Sequence, residues 1–77
     1  MFKKLKLNSA IKKSKKEIAF LEQKRSRSQA ALVTAILSHT DPDDEDVDYF
    51  NHYTGLIENE RNNLHKLERE FDELNAK

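Results

Sequence analysis

An all-α fold, an antiparallel hairpin of two long helices, is predicted by three features of this chain. Apolar residues recur at alternating steps of three and four along most of its length, one proline (Pro42) breaks that pattern near the middle, and there is only a single glycine (Gly55) besides. A charged fraction of 36% fits long, solvent-flanked helices. The expected organisation is one unit, residues 1–77, with helix 1 over about 8–38, a turn over about 39–41 and helix 2 over about 42–75. So short a link makes the two helices antiparallel neighbours.

Helix 1 starts in this reading at Asn8 or Ser9. The residue before a proline is steered away from helical backbone, so the helix is expected to end near Ser38 or His39. Its heptad stripe is Leu7, Ile11, Ser14, Ile18, Leu21, Arg25, Ser28, Leu32 and Ala35. Helix 2 opens with Asp41 as N-cap and Pro42 in the first turn, where a missing N–H costs nothing. Asp43, Asp44, Glu45 and Asp46 then put negative charge on the positive end of the helix dipole. The second stripe is Phe50, Tyr53, Ile57, Glu60, Leu64, Leu67, Phe71 and Leu74. Gly55 weakens this helix by about 1 kcal/mol relative to Ala, a cost that close approach of another backbone would explain.

Facing positions of an antiparallel pair have residue numbers that add to a constant, and 85 accommodates both stripes. It sets Ile11 against Leu74, Ser14 against Phe71, Ile18 against Leu67, Leu21 against Leu64, Ser28 against Ile57, Leu32 against Tyr53 and Ala35 against Phe50. Small residues then meet large ones, as close packing requires. The one charge in each seam, Arg25 and Glu60, would form an ion pair that penalises other registers. Residues 1–27 carry ten Lys or Arg against two Glu, and residues 28–77 carry four against twelve acids. The hairpin lays the basic segment beside Glu58, Glu60, Glu68, Glu70, Asp72 and Glu73, which favours antiparallel over parallel pairing.

A chain of this length seldom builds a core worth more than roughly 3–5 kcal/mol, so a partner surface is expected. Apolar residues off the stripes indicate where: Ala30, Val33, Ile36 and Leu37 on helix 1, with Val47, Tyr49 and Leu56 on helix 2, all in the half near the turn. The run 30–37 is apolar nearly all round, which for a helix means burial on more than one side. Homo-oligomerisation is the expectation, with a dimer favoured and two hairpins packing as a four-helix bundle near their turns.

Chemistry has little foothold. Cysteine is absent, which removes disulfides, thiolate zinc sites and cysteine nucleophiles. His39, His52 and His65 share no i, i+4 partner, so no metal site is expected, and no glycine-rich loop offers a cofactor phosphate a cradle. The segment 41–46 resembles a calcium loop only in its acids, lacking the turn glycine and the distant bidentate Glu, and it suits helix capping better. The serines have no base or oxyanion arrangement around them, so the chain reads as no enzyme.

The first seven residues are cationic like the start of a signal peptide, yet residues 8–16 are polar, and no apolar stretch approaches the roughly 20 residues a membrane span needs. A cytoplasmic protein is the expectation. Phe2, Leu5 and Leu7 amid lysines offer at most a weak contact with an anionic membrane surface. Lys12, Lys13, Lys15 and Lys16, following Lys3, Lys4 and Lys6, are dense enough to neutralise several phosphates, although the only aromatics beside them are Phe2 and Phe20.

Helical hairpins of this size resemble many small bacterial and phage accessory proteins and adaptor modules, an architectural likeness that transfers no residue roles. The expected function is a non-catalytic module for oligomerisation or binding of another protein. The alternative is a nucleic-acid-binding accessory protein that uses the lysine-rich first helix.

Overall fold

A computed structural model describes residues 2–76 of the chain. Two helices, α1 (Phe2–Leu37) and α2 (Asp44–Asn75), pack against each other along their length, and no strand occurs among the described residues. At 1.5 Å per residue, the 36 residues of α1 span about 54 Å, which accounts for the long dimension of the 56 × 16 × 16 Å molecule. The radius of gyration is 17.2 Å, against about 11–12 Å for a globule of this length. A rod so thin exposes most of every helix. No helix of the described residues is long and apolar enough to cross a membrane.

α1 begins at Phe2, well ahead of the expected start near residue 8. Lys3, Lys4, Leu5, Lys6 and Leu7 all favour helix, and Leu7 shares a cleft with Glu70, Glu73 and Leu74 of the other helix. At the far end, the amide of His39 donates to the Ile36 carbonyl at 3.2 Å and that of Thr40 to the Ala35 carbonyl at 2.9 Å. This is the paired-bond Schellman ending, which needs a left-handed residue at its centre, and His39 supplies it with φ 56°. A side chain in that conformation costs of the order of 1 kcal/mol relative to glycine.

The connection is consequently six residues long, 38–43, rather than the three expected. The N-cap of α2 is Asp43, not Asp41, and Pro42 precedes the helix instead of occupying its first turn. Residues taken up by the Schellman turn push the chain's reversal further along, so that Asp41 and Pro42 are used in crossing between the helices. Asp43 has extended backbone and no side-chain cap bond, so its contribution, with Asp44, Glu45 and Asp46, is negative charge at the positive end of the dipole.

Both heptad stripes face inward: every member, from Leu7 to Ala35 on α1 and from Phe50 to Leu74 on α2, is buried or half-buried. Their register differs from the expected one. The contacts Ser14 to Glu60, Arg25 to Thr54, Arg25 to Phe50 and Glu22 to Arg61 have residue numbers adding to 74, 79, 75 and 83, which centre near 78 rather than 85. The helices are thus slid by one heptad, about 10 Å along the axis. Sliding by one heptad brings residues 2–7, helical from Phe2, alongside the end of α2, where the expected register leaves them overhanging.

The centre of the seam is Ile57, 1% exposed, packed with Ile18 and Leu21 and flanked by Tyr53 and Leu64. Polar layers bound this cluster on both sides. Towards the free ends, the Ser14 hydroxyl, 3% exposed, donates to Glu60 Oε1 at 2.7 Å, and Asn63 Nδ2 donates to the same oxygen at 3.2 Å. Towards the turn, Arg25 Nη1 donates to Thr54 Oγ1 at 3.2 Å while the guanidinium lies 5.3 Å from the centre of the Phe50 ring. The buried Arg25 Nε has no partner. Ser28 returns its hydroxyl proton to the Arg25 carbonyl, so its burial leaves no donor unmatched.

Candidate functional site

The expected seam ion pair of Arg25 with Glu60 does not form. With the helices slid by one heptad, each charge meets neutral groups instead, Thr54 and Phe50 for the guanidinium, Ser14 and Asn63 for the carboxylate. The ion pair that does cross between the helices, Arg61 to Glu22 at 3.1 Å, has the opposite polarity to the chain's overall pattern and is half-exposed, so it adds little.

The slide also changes the setting of the lysines. In the expected register Lys12, Lys13, Lys15 and Lys16 lie opposite residues 69–73, three of them acidic; in the observed one they lie opposite residues 62–66, which are Asn62, Asn63, Leu64, His65 and Lys66. Among the described residues the close contacts of a basic with an acidic side chain are Arg61 with Glu22 and His65 with Glu68, and neither involves these lysines. The acids at the end of α2 sit instead beside the first residues of α1, as the cleft of Lys3 with Glu70 and Glu73 shows.

The residues proposed for self-association are exposed apart from Val47, which is half-buried: Val33 48%, Ile36 68%, Leu37 75%, Tyr49 54% and Leu56 38%, with Ala30 also exposed. They do not make one patch. At about 100° per residue, Val33 and Ile36 share a flank of α1 with Glu22, and Val47 shares a flank of α2 with Thr54 and Arg61. The Glu22 to Arg61 and Arg25 to Thr54 contacts show that these flanks are on one side of the hairpin. Tyr49 lies on the other side, in a groove with Lys24, Arg27, Ser28, Asp46 and Tyr53, and Leu56 is about two turns along from it. Ala30 and Leu37 face away from α2.

The chain matches no family model, no curated protein and no solved structure. What it does must be read from its surfaces.

The three histidines remain far apart in the hairpin, and among the described residues no three His, Asp or Glu side chains converge as metal ligands. The clefts along the rod are open, and their linings mix charged and polar side chains with a few apolar ones such as Leu7, Leu67 and Leu74. Gly55 meets no neighbouring backbone within the chain: a Cβ built on it finds nothing within 4 Å.

One grouping escapes sequence reasoning. Tyr49 and Tyr53 come beside Lys24 and Arg27, and the aromatic rings that the lysine-rich helix lacks are thereby supplied by α2. The α1 half of that surface is visible as a stripe at steps of three and four. Which α2 residues adjoin it depends on the register.

Proposed function

We propose that the chain is a non-catalytic, cytoplasmic self-association module whose hairpins pair through their turn-proximal halves into a four-helix bundle, displaying charged arms to a protein partner. The observation that carries the reading is the cluster of exposed apolar side chains on one flank of the turn end: Val33, Ile36 and half-buried Val47, with Leu37 beside them. Exposure of this much aliphatic surface at one end of a rod has no structural use within a single chain. The thin interior supports it too, since one stripe per helix leaves the isolated hairpin marginal. A two-fold axis across this flank would set Val33, Ile36 and Val47 against their own copies, with Leu37 at the edge of the contact.

Sedimentation equilibrium tests it. The wild type should approach twice the chain mass as concentration rises, and Val33→Glu with Ile36→Glu should remain monomeric while keeping its helical circular dichroism. A wild type that stays monomeric up to millimolar concentration ends the proposal.

A second reading, nucleic-acid binding by the basic part of α1, is favoured by one observation. The one-heptad slide sets Lys12, Lys13, Lys15 and Lys16 opposite residues 62–66, which include no acid, and among the described residues none of the four forms an ion pair, although Lys13 shares a cleft with Glu17 and Glu60. Binding that weakens steeply with salt, and that is lost when these four become Gln, is the expected result; binding insensitive to both changes would refute it.

A further inference from the structure

The flank opposite the self-association surface deepens the nucleic-acid reading, and any ligand assigned to it rests on that reading. On α1 it carries Lys13, Lys16, Phe20, Lys24 and Arg27 at helical steps of three and four, a strip about 21 Å long. Phe20 is 51% exposed, with Lys24 Nζ 5.3 Å from its ring centre. Across the groove, the Tyr49 and Tyr53 rings lie nearly parallel, 12° apart with centres at 6.2 Å, and Tyr49 is 54% exposed. Cations and half-exposed aromatic rings, each with one face already contacted by Lys24 or Tyr53, therefore alternate along one side of the rod. Asp46 closes the strip at the turn end, and Glu17 and Glu60 line the cleft at the Lys13 end, where Glu60 already accepts hydrogen bonds from Ser14 and Asn63.

A duplex presents phosphates but keeps its base faces stacked inside, whereas a single strand presents both. An acidic peptide offers charge, but a ring to stack only where an aromatic residue happens to fall, whereas every nucleotide of a single strand brings a phosphate and a base together. We infer that this flank binds single-stranded nucleic acid, with phosphates on Lys13, Lys16, Lys24 and Arg27 and bases stacked on Phe20 and Tyr49. Because it leaves Val33 and Ile36 uncovered, binding is compatible with the paired hairpins.

Fluorescence anisotropy with labelled oligodeoxythymidylate and oligouridylate of about 15 nucleotides, beside a duplex of equal length and heparin, tests this. Both single strands should bind more tightly than the duplex, and the ratio between them reports whether the 2′-hydroxyl is read. Phe20→Ala and Tyr49→Ala, at half-exposed positions and with helical circular dichroism checked for each variant, should each weaken single-strand binding about tenfold and leave heparin unaffected. Replacing Lys13, Lys16, Lys24 and Arg27 by Gln should weaken every polyanion. Equal binding of duplex and single strand, indifferent to both aromatic changes, overturns the single-strand assignment and leaves a purely electrostatic nucleic-acid surface. Failure to bind any of the four probes overturns both, without touching self-association.

Discussion

The middle of the rod and its turn end are built from similar residues and treated in opposite ways. Around Ile57, three aliphatic side chains, Ile18, Leu21 and Ile57, are 1–9% exposed; around the turn, Val33, Ile36 and Leu37 are 48–75% exposed, although the run 30–37 is the most apolar in the chain. Hydrophobicity alone therefore does not decide burial here. A hairpin covers one stripe on each helix, and an aliphatic residue off that stripe stays in water however apolar its neighbours are. The excess at the turn end is what a second interface would cover, while the middle buries its seam aliphatics within the chain and leaves Phe20 and Leu56 exposed off the seam.

The contrast breaks or holds most visibly under truncation. Ile57→Ala should cost about 3 kcal/mol or more in urea unfolding, a loss that leaves so thin a core largely unfolded, whereas Ile36→Ala at a concentration that keeps the chain monomeric should stay within about 0.5 kcal/mol. Equal losses at the two sites would mean that the turn end is packed inside the folded unit. At higher concentration Ile36→Ala should instead lower the assembled fraction.

A smaller effect sharpens the picture of the polar layers that bound the middle. In a double-mutant cycle, Ser14→Ala and Glu60→Gln should show a coupling of about 1–2 kcal/mol, as expected for a buried hydroxyl donating to a carboxylate. The cycle of Arg25→Gln with Glu60→Gln should be additive within about 0.5 kcal/mol. Coupling in the second cycle and none in the first would restore the register that adds to 85.

The smallest expected change is a gain. Gly55→Ala adds a methyl group that meets nothing within 4 Å, and removing the entropy cost of a mid-helix glycine should raise stability by about 1 kcal/mol in thermal unfolding. A loss instead would mean that another backbone approaches α2 at this point in the assembled state.

How much was legible beforehand differs between periodic and local signals. The stripes were readable residue by residue, polar members included: Ser14, Arg25, Ser28 and Glu60 all lie in the seam. The ends of the helices were less so. The left-handed conformation of His39 had no glycine to announce it, so the Schellman turn, the six-residue link and the shift of the N-cap from Asp41 to Asp43 were hidden together. The start of α1 at Phe2 was masked by lysines that suit an exposed helix as well as an unstructured tail. Of the candidate surfaces, the apolar excess near the turn was visible, but its division between two flanks was not, and neither was the meeting of Lys24 and Arg27 with Tyr49 and Tyr53.

The amino-acid order alone determined that there are two helices, which face of each is covered, and that charge is segregated between the chain's beginning and its remainder. The tertiary structure alone decided how far one helix slides along the other. The reason is the period itself: a displacement of seven residues returns every seam position to the seam, so hydrophobic pattern and the matching of small with large cannot tell the two alignments apart. Helix ends and the partners available to Ser14, Arg25 and Glu60 break that degeneracy, and with it they settle which lysines have acids for neighbours and which do not.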